Sequence, residues 1–209
     1  MKLNVASLSL LALCLVAVPA MAQELYTNGP INGTTDAWTI NSGFVVSDSF
    51  TVASGGGTAI GLQFGAWAFP GDVLESAQVS ITSSEFGGTS FYSATVNFTQ
   101  SGCSGNQYGF NVCNETSTSS FAPVNLAAGT YWLNLANAVV NTGDPIYWDE
   151  NSGPSSASEN SVGTIPSESF TILDEIGTSS SNSVPEPSSI MLFASGVVGL
   201  AGVLRRKLN

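Results

Sequence analysis

The chain has 209 residues, of which 15 are Asp or Glu, four are Lys or Arg and none is His, so its formal net charge is −11. The basic residues are Lys2, Arg205, Arg206 and Lys207, which leaves residues 3–204 without a cationic side chain. Because binding to nucleic acid or anionic lipid requires cations that neutralise phosphates, the composition argues against both as partners of the body. The length allows one domain with terminal appendages.

Residues 1–22 (MKLNVASLSLLALCLVAVPAMA) have the pattern of a secretory signal peptide: one basic residue, an apolar run and an Ala-Met-Ala cleavage sequence. The pattern predicts export and cleavage before Gln23. A lipoprotein signal that uses Cys14 is the alternative, but lipidation requires a small residue before the cysteine, and that residue is Leu13. We therefore expect a plain signal peptide, and Cys14 is removed with it.

Residues 23–176 are rich in Gly, Ser, Thr and Asn, with β-branched and aromatic residues in short runs and no sustained 3.6-residue periodicity. Turn sequences such as Gly-Gly-Gly and Pro-Gly-Asp separate the runs. This pattern predicts an all-β domain, an antiparallel β-sandwich of jelly-roll-like type. The predicted strands are, in chain order, Phe44–Ala53, Thr58–Phe69, Val73–Thr82, Phe91–Gln100, Tyr108–Val112, Thr130–Val140, Pro145–Trp148 and Glu168–Leu173.

Alternation within two of these strands predicts which side chains face the core. The core-facing sets are Ile60, Leu62, Phe64, Ala66 and Ala68 in one strand, and Tyr131, Leu133, Leu135 and Val139 in the other. Trp67 and Trp132 then point away from the core, which makes both candidates for stacking on a sugar ring. Burial under a second layer or a covering loop is the alternative, and it is the commoner arrangement for large aromatic residues.

Few groups in the chain suit catalysis. A Ser or Cys nucleophile needs a base, and residues 3–204 contain no His or Lys. Two carboxylates can hydrolyse a glycosidic bond without His, and the candidate pairs are Asp72 with Glu75 and Asp149 with Glu150. Acids so close in sequence are more often solvated surface groups, so we expect no enzyme activity.

One acidic segment, GDPIYWDENSG, brings oxygen ligands close together in sequence. Oxygen-only ligands on a loop suit Ca²⁺, which makes Asp144, Asp149, Glu150 and Asn151 a candidate calcium site. The spacing is not that of a DxDxDG-type calcium loop, and a hydrogen-bonded acidic loop is the alternative. No other cofactor is predicted. Alternation also predicts a packed Trp148 indole and an Asp149 carboxylate turned toward the loop.

Cys103 and Cys113 are the cysteines that remain after removal of the signal peptide. In an exported protein such a pair is expected to form a disulfide, with the α-carbons about 4.4–6.8 Å apart. Closing so short a loop contributes roughly 2–3 kcal/mol. A metal site is the alternative, but two thiolates without further ligands make a poor one.

Two further segments are polar. Ser155–Glu168 is predicted to be a long surface loop, and residues 177–183 (GTSSSNS) are predicted to be a flexible linker.

Residues 184–209 form a separate unit that begins with Val184-Pro185-Glu186-Pro187. Residues 188–204 are an uncharged run of 17 residues, the lower limit for one transmembrane helix. Arg205, Arg206 and Lys207 follow it, and such a basic end is expected to stay cytoplasmic. A permanent tail anchor is the simplest interpretation, but it does not explain the two prolines, which stop a helix and hold the chain extended.

This combination of motif, short span and basic end resembles the PEP-CTERM sorting signal of Gram-negative bacteria. The resemblance implies that a membrane enzyme, exosortase, processes the protein near Pro-Glu-Pro and passes it to the cell envelope or extracellular matrix. The same segment is also labelled ice-binding protein C-terminal domain, although an ice-binding face needs regular Thr-x-Thr rows, which the chain lacks. The body resembles a secreted choice-of-anchor sandwich in TDAWTINSGFVVSDSFTV, GAWAFPGD, AAGTYWLNL and PIYWDENSG; that resemblance implies no activity.

Together these features predict a noncatalytic protein of the envelope or extracellular matrix. It would start as a precursor anchored in the inner membrane by its C-terminal helix, be processed by exosortase, and associate with exopolysaccharide. Two other functions remain open: a carbohydrate-active enzyme with paired carboxylates, and a calcium-stabilised adhesion module.

Overall fold

The computed structural model describes residues 23–175, and within them the chain folds as antiparallel β-strands without any helix. In chain order the strands are β1 (Gln23–Thr27), β2 (Ala37–Thr39), β3 (Val45–Val52), β4 (Gly57–Ala68), β5 (Leu74–Ser84), β6 (Gly87–Gly105), β7 (Asn111–Ser117), β8 (Val124–Leu126), β9 (Gly129–Val140), β10 (Tyr147–Asp149), β11 (Ala157–Glu159), β12 (Gly163–Ile165) and β13 (Phe170–Asp174). The predicted all-β, antiparallel class is confirmed.

All the strands belong to one sheet that curls over. Its main path runs β1-β13-β4-β7-β6-β5-β9-β3-β11-β12, while β8 and β10 pair with β4, and β2 pairs with β10. The long strand β6 joins the two halves, because its first part pairs with β5 and its last part with β7. The predicted sandwich therefore holds in outline: the two layers are halves of one continuous sheet.

The core lies between these halves and is dominated by aromatic side chains. Phe50 of β3 and Phe170 of β13 meet with ring centroids 6.3 Å apart, and Trp148 of β10 packs on Phe64 at 6.0 Å and on Phe170 at 5.6 Å. All four side chains are buried. Burying a side chain of this size stabilises the fold by about 1.5–3 kcal/mol.

Two residues predicted to face the core lie elsewhere because irregularities reset the alternation. The pairing of β4 with β13 shifts register next to Ile60, so Ala59 is buried and Ile60 only partly. In β9, Asn137 adopts φ 48° and the pairing with β5 is irregular, so Ala138 is buried while Val139 is 48% exposed. An inserted residue of this kind breaks the alternation, so the side chains on its two sides no longer follow one pattern of inward and outward positions.

The prediction that Ser155–Glu168 is a surface loop is wrong. The segment contains β11, which pairs with β3, and β12, which pairs with β11. Ile165 and Glu168 within it are buried. The partner of β11 lies more than 100 positions away in sequence, and β12 is added to β11 as a local hairpin, so a local polar composition does not reveal this pairing.

Residues 1–22 and 176–209 lie outside the described residues, and so do the predicted signal peptide, linker, sorting motif and transmembrane span. The part of the chain that the structure describes contains no helix able to cross a membrane.

Candidate functional site

Five aromatic residues form a cluster on the outer surface of β4, and we call Trp67, Phe69, Tyr108, Phe110 and Tyr147 the aromatic cluster. Trp67 points away from the core, as the alternation of β4 predicts, and the turn between β6 and β7 folds over it. Tyr108 stacks on Trp67 with centroids 5.6 Å apart and planes at 21°, and Phe110 lies 5.9 Å from Trp67. Phe110 also meets Phe69 at 4.9 Å and Tyr147 at 5.4 Å.

The exposed part of the cluster is not Trp67 itself. Tyr108 is 53% exposed and Phe69 is 38% exposed, whereas Trp67 is only 4% exposed. Trp67 thus forms the floor beneath Tyr108, whose hydroxyl donates to the carbonyl of Thr34 at 3.2 Å. The prediction of Trp67 as an exposed sugar platform is therefore wrong, because a covering turn buries the indole.

Trp132 does not share a surface with Trp67. It lies on β9, in the other half of the sheet, and is partly buried. Its position next to β3 and β5 separates it from β4 in the strand order. The two tryptophans therefore cannot form one platform.

Asp149 anchors the floor of the cluster. The Trp67 Nε1–H donates to its Oδ1 at 2.6 Å, and the backbone N–H groups of Asn32 and Gly33 donate to its Oδ2 and Oδ1 at 2.7 Å each. The carboxyl is fully buried, while the neighbouring Trp148 indole packs in the core. Asp149 therefore ties the loop after β1 to strands β4 and β10.

The four predicted calcium ligands do not share a site, because three of them have other hydrogen-bond partners. Asp144 is exposed and Glu150 accepts the Trp38 Nε1–H at 3.2 Å. The Asn151 amide is engaged by backbone groups, and Asp149 by the N–H donors above. Among residues 23–175 no group of three or more His, Cys, Asp or Glu side chains could hold a metal ion.

The predicted catalytic pairs do not share a cleft either. Asp72 is buried and accepts the Thr142 hydroxyl at 2.9 Å, while Glu75 is exposed. A cleft of about 580 Å³ lies beside β1, β4 and β13, and Glu24 is the single carboxylate among its lining residues. That cleft offers no carboxylate pair of the kind glycoside hydrolysis needs.

Cys103 and Cys113 are joined by a disulfide, with α-carbons 4.1 Å apart, just below the expected range. The bond connects two paired strands, β6 and β7, because β6 continues to Gly105 where the sequence predicted an end at Gln100. It closes the hairpin whose turn carries Tyr108 and Phe110. The aromatic cluster thus rests on a covalently closed loop.

Three buried acids with raised pKa values escaped the sequence prediction. Asp48 and Glu168 face the interior from β3 and from the segment before β13, and Glu115 does so from β7. Burial raises the pKa of Asp48 to about 6 and that of Glu115 to about 8. Burial, together with the nearby charge of Asp48, raises the pKa of Glu168 well above its ordinary value. The alternation of β3, which places Asp48 between Val46 and Phe50, was an available signal.

Among known families, the PEP-CTERM protein-sorting motif matches residues 183–207. No curated protein and no solved structure matches the chain. The choice-of-anchor and ice-binding labels therefore gain no support.

The motif indicates an exported envelope protein of Gram-negative bacteria whose sorting depends on exosortase.

Proposed function

We propose that the protein is a noncatalytic component of the cell envelope or extracellular matrix, whose body binds exopolysaccharide through the aromatic cluster. The observation that carries the proposal is the exposed Tyr108 ring, stacked on the buried Trp67 and fixed through its hydroxyl. A sugar ring has apolar C–H faces that pack against such an aromatic face.

The surroundings of the cluster favour an uncharged ligand. Gln107, an exposed residue in the same turn as Tyr108, supplies an amide group of the kind that hydrogen-bonds sugar hydroxyls, whereas the Asn106 amide is engaged within the turn. Since residues 3–204 contain no Lys, Arg or His, an anionic polymer would be repelled by the acidic surface. Neutral polysaccharide is therefore the expected ligand class.

Binding can be tested with the purified exported protein and exopolysaccharide immobilised on beads. Wild-type protein should be retained, and Tyr108→Ala should weaken binding by about tenfold, the value of one aromatic stacking contact. Phe91→Ala is the matched control, since Phe91 is 42% exposed but lies on β6 next to Tyr131, away from the cluster. Equal retention of wild type and Tyr108→Ala would contradict the proposal.

The absence of catalysis has its own test. Incubation with the same polysaccharide should release no new reducing ends over a day. If sugar ends appear and Asp72→Asn or Asp149→Asn abolishes them, the protein is instead a carbohydrate-active enzyme.

Export and sorting complete the proposal. The precursor is anchored in the inner membrane by residues 188–204, with Arg205, Arg206 and Lys207 on the cytoplasmic side. Exosortase acts near Pro185-Glu186-Pro187 and releases the body to the envelope or matrix. The PEP-CTERM match supports this route.

A further inference from the structure

Asp48 and Glu168 place two carboxyl groups in the interior between the halves of the curled sheet. Asp48 lies on the inner face of β3, and Glu168 lies two residues before Phe170, which is part of the core. Both residues are fully buried. The Glu168 N–H donates to Asp48 Oδ2 at 2.7 Å, so the two residues link one half of the sheet to the other.

Three oxygens of this pair lack a hydrogen-bond partner in the described part of the chain. They are Oδ1 of Asp48 and both carboxyl oxygens of Glu168. A buried polar group without a partner is costly, and a buried carboxylate more so. Residues 3–204 contain no cationic side chain that could neutralise the pair. The pair must therefore be neutralised by protons or by a cation from outside the chain.

The groups around the pair are also rich in oxygen. The Asn28 Nδ2 has four oxygens nearby: Ser155 Oγ and the Glu168 carbonyl at 2.6 Å, Ser167 Oγ at 2.9 Å and Asp48 Oδ2 at 3.3 Å. An amide has only two protons to donate, so Asn28 cannot satisfy all four oxygens. Carboxylates, hydroxyls and a carbonyl, with no sulfur or imidazole among them, are the ligands that a hard cation such as Ca²⁺ prefers.

We propose that Asp48 and Glu168 bind a divalent cation, with Ca²⁺ the expected ion, which clamps β3 to the segment that leads into β13. A shared proton would join two of the three unpartnered oxygens and leave the third unsatisfied, whereas Ca²⁺ accepts six to eight oxygen ligands. Glu150 lies opposite Glu168 across an antiparallel bridge, but its Oε2 accepts the Trp38 Nε1–H. The site therefore draws on two carboxylates, completed by hydroxyl or backbone oxygens and water.

The test is a calcium titration of the purified exported protein, stripped with a chelator beforehand. At a calcium concentration of a hundred times Kd, the melting temperature of the wild type should rise by about 5–10 °C. Equilibrium dialysis should find one Ca²⁺ per chain. Asp48→Asn and Glu168→Gln should each abolish the rise, because each removes one of the two carboxylates.

Glu115→Gln is the matched control, because Glu115 is an equally buried acid with two unpartnered oxygens and no neighbouring carboxylate that shifts its pKa. It should keep the full response to calcium. Should an amide variant fail to fold, Asp48→Glu and Glu168→Asp keep the charge and should weaken calcium binding by about tenfold through altered ligand geometry.

The proposal is overturned if millimolar calcium neither binds nor shifts the melting temperature of the wild type. It is also overturned if Asp144→Asn abolishes the response while Glu168→Gln keeps it, since the ion would then occupy the loop predicted from sequence. Unchanged calcium affinity in Asp48→Glu and Glu168→Asp would also overturn the proposal.

Discussion

A single carboxyl group, that of Glu115, should set much of the pH dependence of this protein. It lies on the inner face of β7 opposite Phe64, and neither of its oxygens has a hydrogen-bond partner in the described structure. Its pKa is raised from 4.5 to about 8 by desolvation. The folded state therefore holds a proton that the unfolded state has lost between these pH values. Its contribution to stability is full below about pH 4.5 and is lost as pH rises through about 8.

We predict that the free energy of unfolding falls between pH 4.5 and pH 8.5, with Glu115 contributing on the order of 4 kcal/mol to the fall. Glu115→Gln should flatten the profile and make the protein more stable than wild type at pH 8.5. Asp48, whose pKa is about 6, and Glu168, whose pKa is raised well above its ordinary value, act in the same direction in calcium-free buffer, so a slope should remain in the variant. Urea unfolding at several pH values measures the free energy of unfolding of the wild type and of Glu115→Gln. Identical pH profiles for the two proteins would contradict the prediction.

Asp149 illustrates the opposite case, a buried carboxylate with enough donors. Asp149→Asn replaces one accepting oxygen with an NH₂ group. At the Oδ1 position this group would face the N–H donors of Trp67 and Gly33, and at the Oδ2 position it would face the N–H of Asn32. We expect a loss of about 2–3 kcal/mol in the free energy of unfolding. Asp144→Asn, at an exposed position five residues earlier, should change it by less than about 0.5 kcal/mol. Equal effects of the two variants in urea unfolding would show that the three donors contribute little.

At the scale of secondary-structure elements, the hairpin of β6 and β7 supports the aromatic cluster. Replacing both Cys103 and Cys113 with Ser should lower the free energy of unfolding by about 2–3 kcal/mol, because the unfolded chain gains freedom over the ten-residue separation. Reducing agent should lower the stability of the wild type by the same amount and leave the double variant unchanged. A double variant as stable as the oxidised wild type would mean that strand pairing alone holds the hairpin.

The elements that the sequence predicted best are those with long, strict alternation. The predicted Phe44–Ala53 and Thr58–Phe69 match β3 and β4 to within one residue, because one buried face imposes a period of two. The short strands β11 and β12 were missed because β11 depends on pairing with the distant β3, and β12 in turn depends on β11. Trp67 was oriented correctly, yet its burial depends on Tyr108, 41 positions later in the chain. Local patterns carry no information on such a contact.

The same distinction holds for the candidate sites. Spacing was sufficient to pair Cys103 with Cys113, because oxidation of a close pair needs only a short loop. Spacing failed for the segment from Asp144 to Asn151, because its residues are engaged by partners distant in sequence, such as Trp38 and Trp67. Conversely, Asp48 and Glu168 are 120 positions apart, and only the curled sheet brings them into contact.

At the scale of the whole molecule, the separation of charge supports the role proposed for the C-terminus. Fourteen of the fifteen acids lie in residues 23–175, and the basic residues lie at the two ends of the chain. An acidic body carries no cation that would hold it on an anionic membrane, so under the proposed route its retention there depends on the terminal segment. Removing that segment should release the body completely.

The last prediction concerns that release. Since the PEP-CTERM motif spans residues 183–207, replacing Pro185-Glu186-Pro187 with three alanines should block processing, because an extended, proline-stiffened segment is what a protease binds. The precursor should then accumulate at full length in the inner-membrane fraction. Wild-type protein should be shorter by roughly the mass of the span and lie outside that membrane. Replacing Ser179-Ser180-Ser181 with alanines, a change of equal length in the linker, should leave processing intact. Mass spectrometry of the mature wild-type C-terminus distinguishes a processed signal from a permanent anchor. An intact Arg205-Arg206-Lys207 end would mean that the segment is a permanent anchor.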